Sequence, residues 1–154
     1  MKTTSNILYG VVCASVFSVT VLALPTAVAD DDEKPAAAGW LKSVRSELAK
    51  NNYDAAIKKL KAAAENKSAD WHNLMGYSLR KKSPPDLAGA EKHYIAALDI
   101  DARHKGALEY YGELKLMQND KPGAEQMLKR LVNASCGKGC EQYDDLAKEI
   151  AERQ

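Results

Sequence analysis

Apolar side chains recur at intervals of three and four residues along the chain from Trp40 onward. This spacing puts them on one face of an α-helix, whereas a half-buried strand would alternate apolar and polar residues. The same stretch is rich in alanine, leucine, lysine and glutamate, which are strong helix formers. The pattern therefore predicts an all-α fold.

Small and large apolar positions also repeat along this helical region with a spacing of 34 residues. Within each copy the order is small-xxx-large-xx-small, which places all three positions on one closely packed helical face. The three sets that carry the repeat are Ala56, Ala90 and Ala124; Leu60, Tyr94 and Leu128; and Ala63, Ala97 and Leu131. The repeat predicts three similar structural units.

Each unit is predicted to be a helical hairpin. Sixteen residues before the first alanine of each copy stands a large apolar residue, Trp40, Leu74 or Leu108, which starts a preceding helix. Turn-forming residues at 51–54, 83–86 and 118–123 separate the two helices of each unit.

These residues resemble the tetratricopeptide repeat family, whose unit is a helix pair of about 34 residues. In the second copy Gly76 takes the small packing position two residues before the strict spacing, and an insertion at Pro84 and Pro85 explains the shift. The first copy has Val44 where glycine is usual, as expected of a terminal repeat. The third copy matches best, with Leu108, Tyr111, Gly112, Ala124, Leu128 and Leu131 at family positions. The resemblance implies a solenoid of three repeats over residues 40–138.

The last segment, residues 139–154, is predicted to cap this array. Its apolar residues fall on one helical face, and charged residues take the other. Those apolar residues are Tyr143, Leu146, Ala147, Ile150 and Ala151. Repeat units need such a final helix to cover an exposed apolar end. The alternative is a helix that docks onto a partner.

The N-terminal segment 1–29 has the three features of a secretory signal peptide in the usual order. Lys2 is followed by an apolar run over residues 7–24 and then by Ala27-Val28-Ala29, a small-x-small cleavage site. A retained membrane anchor is the alternative, but Pro25 and the cleavage site favour removal. Residues 30–39 are expected to form a flexible leader, and the protein is expected to be soluble in a bacterial periplasm.

Charge and histidine content narrow the classes of function. The 22 basic residues are matched by 21 acidic residues, so no nucleic-acid partner is expected. His72, His93 and His104 form no H-x-x-x-H pattern and are expected on helix surfaces, with His104 at a helix end where positive charge suits the helix dipole. We expect no enzyme activity, no cofactor and no metal.

Cys136 and Cys140 enclose Gly137-Lys138-Gly139. In an exported protein two such cysteines are expected to form a structural disulfide. Two other roles stay open for the pair: thiol redox exchange, and binding of a soft ion such as Cu(I).

The family resemblance implies a function in recognition, because such arrays use the inner faces of their first helices as a groove for a peptide or protein partner. The expected groove residues are Leu41, Arg45, Asn73, Tyr77, Arg80, Glu109 and Glu113. A partner of mixed charge fits this set, since it lacks the Lys, Asn and Arg pattern of the family's carboxylate clamp. Self-association through the repeat ends is a further possibility, and the partner is not identified by the sequence.

Overall fold

A computed structural model describes residues 35–153, and this part of the chain is entirely helical apart from its loops. The predicted all-α fold is confirmed. The seven helices are α1 (Pro35–Leu48), α2 (Tyr53–Ala63), α3 (Ala69–Lys81), α4 (Leu87–Ile100), α5 (Lys105–Met117), α6 (Lys121–Asn133) and α7 (Glu141–Glu152). The predicted signal peptide and residues 30–34 of the leader lie outside the described residues.

Neighbouring helices pack in pairs. Three pairs of consecutive helices pack closely against each other: α1 with α2, α3 with α4, and α5 with α6. A loop of only three to five residues joins the two helices of each pair, so each pair is antiparallel. Successive pairs meet where α2 contacts α3 and α4 contacts α5. Helix α3 also contacts α5, and α7 packs on both α5 and α6. This neighbour pattern is compatible with a stack of helical hairpins.

The helices begin earlier than the repeat pattern indicated. The predicted starts at Trp40, Leu74 and Leu108 were wrong, because α1, α3 and α5 begin at Pro35, Ala69 and Lys105. Proline at a first helical position and the three alanines after it favour a helix within the segment predicted as a leader. Side-chain caps set the starts of four helices, α3, α4, α5 and α6. The Ser68 hydroxyl accepts from the Trp71 amide at 3.3 Å, and the Asp120 carboxylate accepts from the Gly123 amide at 2.9 Å.

The positions of the 34-residue repeat form the centre of the core. Ala56, Ala90 and Ala124 are fully buried. So are Leu60, Tyr94, Ala97 and Leu131, whereas Ala63 and Leu128 are half-buried at the edge. Burial of such side chains is the main favourable term in folding. The periodic residues therefore hold the helix pairs together, and they are separate from the residues that line any pocket.

Gly76 of α3 lies close to α4. A Cβ atom at Gly76 would lie 2.7 Å from Cε1 of Tyr94 and 3.1 Å from the Ala90 carbonyl oxygen. Ser78 is the residue that a strict 34-residue spacing would put at this packing position. It is also buried, and its hydroxyl donates to the Leu74 carbonyl at 2.7 Å. The loop after α3 has five residues, at 82–86, and the loop after α5 has three, at 118–120. These lengths agree with a two-residue insertion at the prolines.

Gly76→Ala is expected to destabilise the protein by about 1–3 kcal/mol, because the new methyl group overlaps a buried ring and a backbone oxygen. The gain in helix propensity of roughly 1 kcal/mol offsets only part of this. Urea denaturation of the wild type and the variant measures the difference. Gly39→Ala in α1 is the matched control, since a Cβ there meets nothing within 4 Å, and it should be neutral or stabilising. A Gly76→Ala variant as stable as this control would contradict the close approach.

Candidate functional site

A pocket of about 350 Å³ opens between α1, α3, α5 and α7. Four of the seven expected groove residues line it: Arg45, Asn73, Tyr77 and Glu109. Six further lining residues were not expected from the sequence. They are Leu48, Asp70, Leu74, Gly106, Tyr110 and Gln142.

A spacing of 36 residues relates the lining residues of α3 to those of α5. Asp70 and Gly106, Asn73 and Glu109, and Leu74 and Tyr110 form three such pairs. Helices α3 and α5, the first of their pairs, follow a spacing of 36 because the loop after α3 is two residues longer than the loop after α5. Helices α4 and α6, the second of their pairs, keep their buried alanines at a spacing of 34. Of these pairs only Asn73 and Glu109 were expected from the sequence, because neither Asp70 nor Leu74, which correspond to Gly106 and Tyr110, was expected in the groove. No sequence signal pointed to Gln142 of α7.

The other three expected groove residues lie elsewhere. Leu41 is half-buried in α1 and is not among the residues that line the pocket. Arg80 is only 7% exposed and forms an ion pair with Glu113. Glu113 instead lines a second, smaller pocket of about 230 Å³ whose other residues are all on α7. Arg80 and Glu113 therefore support the main pocket from behind.

Arg80 connects the pocket wall to the core. Its Nε donates to the Tyr94 hydroxyl at 3.4 Å, and its guanidinium carbon lies 5.7 Å from the ring centres of both Tyr77 and Tyr110. Those two rings contact each other with centroids 4.8 Å apart. Burial opposes the charge on Arg80, but Tyr94 and Glu113 outweigh burial and raise the pKa of the guanidinium. The cation thus fixes the aromatic wall formed by α3 and α5.

Glu109 and Asn73 are buried polar residues at the pocket. Each is 6% exposed. The Glu109 carboxyl has no hydrogen bond or ion pair among the described residues. Asn73 Oδ1 is buried and has no partner there either. Buried polar groups in folded proteins are normally paired, so the enclosed Asn73 oxygen beside the Glu109 carboxyl requires an explanation.

The environment of Glu109 opposes its ionisation. Burial, and next the negative charges of Glu113, Asp145 and Glu141, raise the pKa of the Glu109 carboxyl to about 8, against the attraction of Arg80. At neutral pH the folded protein therefore holds Glu109 mostly protonated and uncharged. A carboxyl in this state donates one hydrogen bond, and after losing its proton it only accepts.

We expect the contribution of Glu109 to the free energy of unfolding to decline as the pH rises from about 4.5 to about 8. The folded state keeps a proton in this range that the unfolded chain has released, so stability falls as pH rises. Glu109→Gln removes this titration, and its stability should decline less over the same range. Urea denaturation at several pH values measures both slopes. Glu125→Gln on the exposed face of α6 is the control, and it should follow the wild type. Parallel curves for wild type and Glu109→Gln would refute this expectation.

The histidines make specific contacts. The expectation that positive charge on His104 suits a helix end was wrong, because His104 precedes the N-terminus of α5, where its Nδ1 accepts from the Ala107 amide at 3.1 Å. Its other ring nitrogen, Nε2, lies 3.1 Å from Asp70 Oδ1 at the pocket rim. His72 and His93 are half-buried, and their Nδ1 atoms are 2.9 Å apart. His104 thus links the start of α5 to a lining residue of α3.

Cys136 and Cys140 lie as predicted for a disulfide, with their sulphur atoms at bonding distance and their Cα atoms 5.3 Å apart. Cys136 is fully buried in the same cluster as Leu131 and Leu146, and Cys140 is the N-cap residue of α7. The pair joins the end of α6 to the start of α7. This position fixes the turn that brings α7, and with it Gln142, to the pocket.

Within residues 35–153 no three His, Cys, Asp or Glu side chains come together in a group that could hold a metal ion. No helix in this part of the chain is long and apolar enough to cross a membrane. Comparison of the chain with models of known protein families and with curated proteins found no match.

Proposed function

We propose that this protein is a non-enzymatic binding module, related to tetratricopeptide repeat proteins, that holds a segment of a peptide or protein partner in the pocket. The observation that carries this proposal is the convergence of four helices on one open pocket with unpaired polar groups and two aromatic rings. Pockets of this kind fix a ligand through a few well-placed polar groups. The N-terminal sequence supports a periplasmic location.

The partner contacts are expected at the pocket rim and floor. Arg45 is exposed on α1 and offers a positive charge, while Asp70 on α3 offers a negative one. Leu48 and Leu74 add apolar surface between them. This mixture supports a partner segment of mixed charge.

The tagged full-length chain is the material for the test. Mild crosslinking in its own periplasm identifies partners, and selection from a displayed library of random peptides gives binding sequences. A selected peptide should bind the Arg45→Glu variant roughly tenfold more weakly, because a lost charge at the edge of an interface weakens association. Lys58→Glu, an exposed charge reversal on α2, should bind as the wild type does. Binding that is unaffected by Arg45→Glu, or measurable turnover of a substrate, would overturn the proposal.

The thiol and copper alternative is distinguished by a second variant. Exchange chemistry requires an attacking group to reach a sulphur atom; Cys136 is fully buried, so only the half-buried Cys140 offers a point of attack. A variant with alanine at both Cys136 and Cys140 should keep peptide binding while it stays folded. Loss of function in a folded double variant would favour the thiol role instead.

A further inference from the structure

The pocket contains acceptor groups that lack donors. The Glu109 carboxyl and Asn73 Oδ1 come from adjacent helices, and both residues are more than nine-tenths buried. Neither group is paired within the described chain. A half-turn of the Asn73 amide exchanges its oxygen and nitrogen and so presents the acceptor to the pocket. A ligand with several N–H donors would pair with the Glu109 carboxylate and, after this half-turn, with the Asn73 oxygen.

The charges around Glu109 favour a cation. The neighbouring cation Arg80 is already paired with Glu113. Arg45, on α1, is the one lysine or arginine among the residues that line the pocket. The titratable and charged groups that face Glu109 or share its pocket are Asp70, Tyr77 and Arg80 of α3, Tyr110 and Glu113 of α5, Glu141 and Asp145 of α7, and Arg45 of α1, together with His104, which contacts Asp70 at the rim. The carboxylates outnumber the free cation, so the field at Glu109 is negative.

We propose that the pocket binds a primary ammonium group of the partner, from a lysine side chain or an N-terminus, with Glu109 and Asn73 as its acceptors. This inference rests on the proposed function, since it names the chemistry that the same pocket recognises. The ammonium donates to the Glu109 carboxylate and to the Asn73 amide oxygen, and Asp70 at the rim adds a second negative charge.

The placement of the acceptors selects an ammonium over a guanidinium. A guanidinium binds best to two coplanar acceptors on one group, which its fork of N–H donors matches. The two unpaired groups here lie on different helices, α3 and α5. An ammonium is compact and directs three donors outward in different directions. It can therefore reach both helices at once.

Binding of the ammonium requires Glu109 to lose its proton. The ligand stabilises the carboxylate, so the proton leaves to solvent when the complex forms. Below the pKa of Glu109, which is about 8, the apparent affinity should rise about tenfold for each pH unit. A lysine ammonium stays charged across this range, whereas an N-terminal amine with a pKa of roughly 8 begins to lose its own charge. The pH profile therefore separates the two sources.

The probes are four short peptides, three of them blocked at both ends, and each is added to the isotope-labelled full-length chain. One carries a single lysine, one carries the same residue acetylated, one carries arginine in its place, and one has only a free N-terminus. Chemical-shift changes at Gly106 and at the Asn73 side-chain amide report binding. We expect the lysine or the N-terminal peptide to bind at least tenfold more tightly than the acetylated peptide, with the pH slope given above.

Glu109→Gln provides the variant test, and it retains the shape of the side chain while removing a buried ionisable group. We expect it to lose tenfold or more in ammonium affinity together with the pH dependence, while Glu125→Gln behaves as the wild type. Equal affinity for lysine and acetyl-lysine, tighter binding of the arginine peptide, or no binding of any probe would overturn the ammonium proposal. A peptide from the displayed library that binds without an amino group would leave the proposed function intact, and failure of the whole library would overturn both.

Discussion

Arg80→Met is expected to lower the free energy of unfolding by about 3–5 kcal/mol, as removal of one partner from a buried ion pair does. The change leaves the Glu113 carboxylate without its cation while its side chain remains only 13% exposed. It also removes the hydrogen bond to Tyr94 and the contact with the aromatic rings. Denaturant unfolding monitored by circular dichroism measures the loss.

A second substitution separates the loss of the ion pair from the loss of packing. Burial raises the pKa of Glu113 even with Arg80 present, and loss of the cation should raise it further. The Arg80→Met variant should therefore recover part of its stability at low pH, where Glu113 is neutral. Adding Glu113→Gln should restore stability in the same way. Arg45→Met, at an exposed site, is the matched control and should change stability by less than about 0.5 kcal/mol. An equally small loss for Arg80→Met would contradict the ion-pair assignment.

Leu146→Ala is expected to destabilise the protein by about 2–5 kcal/mol, the usual range for truncation of a buried leucine. Leu146 is fully buried, and α7 packs through it against α5 at Gly112. Thermal unfolding measures the total effect. Hydrogen exchange should show that the amides of α7 lose protection before those of α3.

Lys148→Ala is the control on the exposed face of the same helix. Among residues 35–153, Lys148 is paired only with Glu152, at 3.9 Å across exposed side chains, and such pairs contribute little to stability. If α7 served to dock onto a partner instead of covering the array, Leu146→Ala would change stability no more than Lys148→Ala does. That outcome would contradict the interpretation of α7 as a cap.

The sequence predicted the helical core well because the buried positions recur at the same point of each repeated helix. Ala56, Ala90 and Ala124 are fully buried at the fourth position of α2, α4 and α6, so a single spacing identifies them. The bonding distance between Cys136 and Cys140 was also predictable, because two glycines in the short loop allow the chain to fold back. The helix starts were not predictable in this way, because the capping residues Ser68 and His104, which begin α3 and α5, lie outside the apolar pattern.

The pocket was predicted only in part, for a physical reason. A periodic pattern identifies which residues share a helix face, but it does not state which opposite charges on two helices will pair. Arg80 and Glu113 were both expected in the groove, and their mutual attraction instead places them behind it. Gln142 enters the pocket because α7 packs on α5, and this contact depends on tertiary structure alone.

The five-residue loop between α3 and α4 also limits how copies of this unit can be exchanged by recombination. A crossover that joins the second and third copies within α4 and α6, which keep the spacing of 34 residues, leaves every helix face in phase. A crossover of 34 residues that joins α3 to α5 would shift the helix by two residues, because these helices are related by 36. The buried face of the joined helix would then turn by about 200° relative to its neighbours. The second helices are therefore the places where a gene of this kind can gain or lose a unit while every remaining helix keeps its buried face in phase.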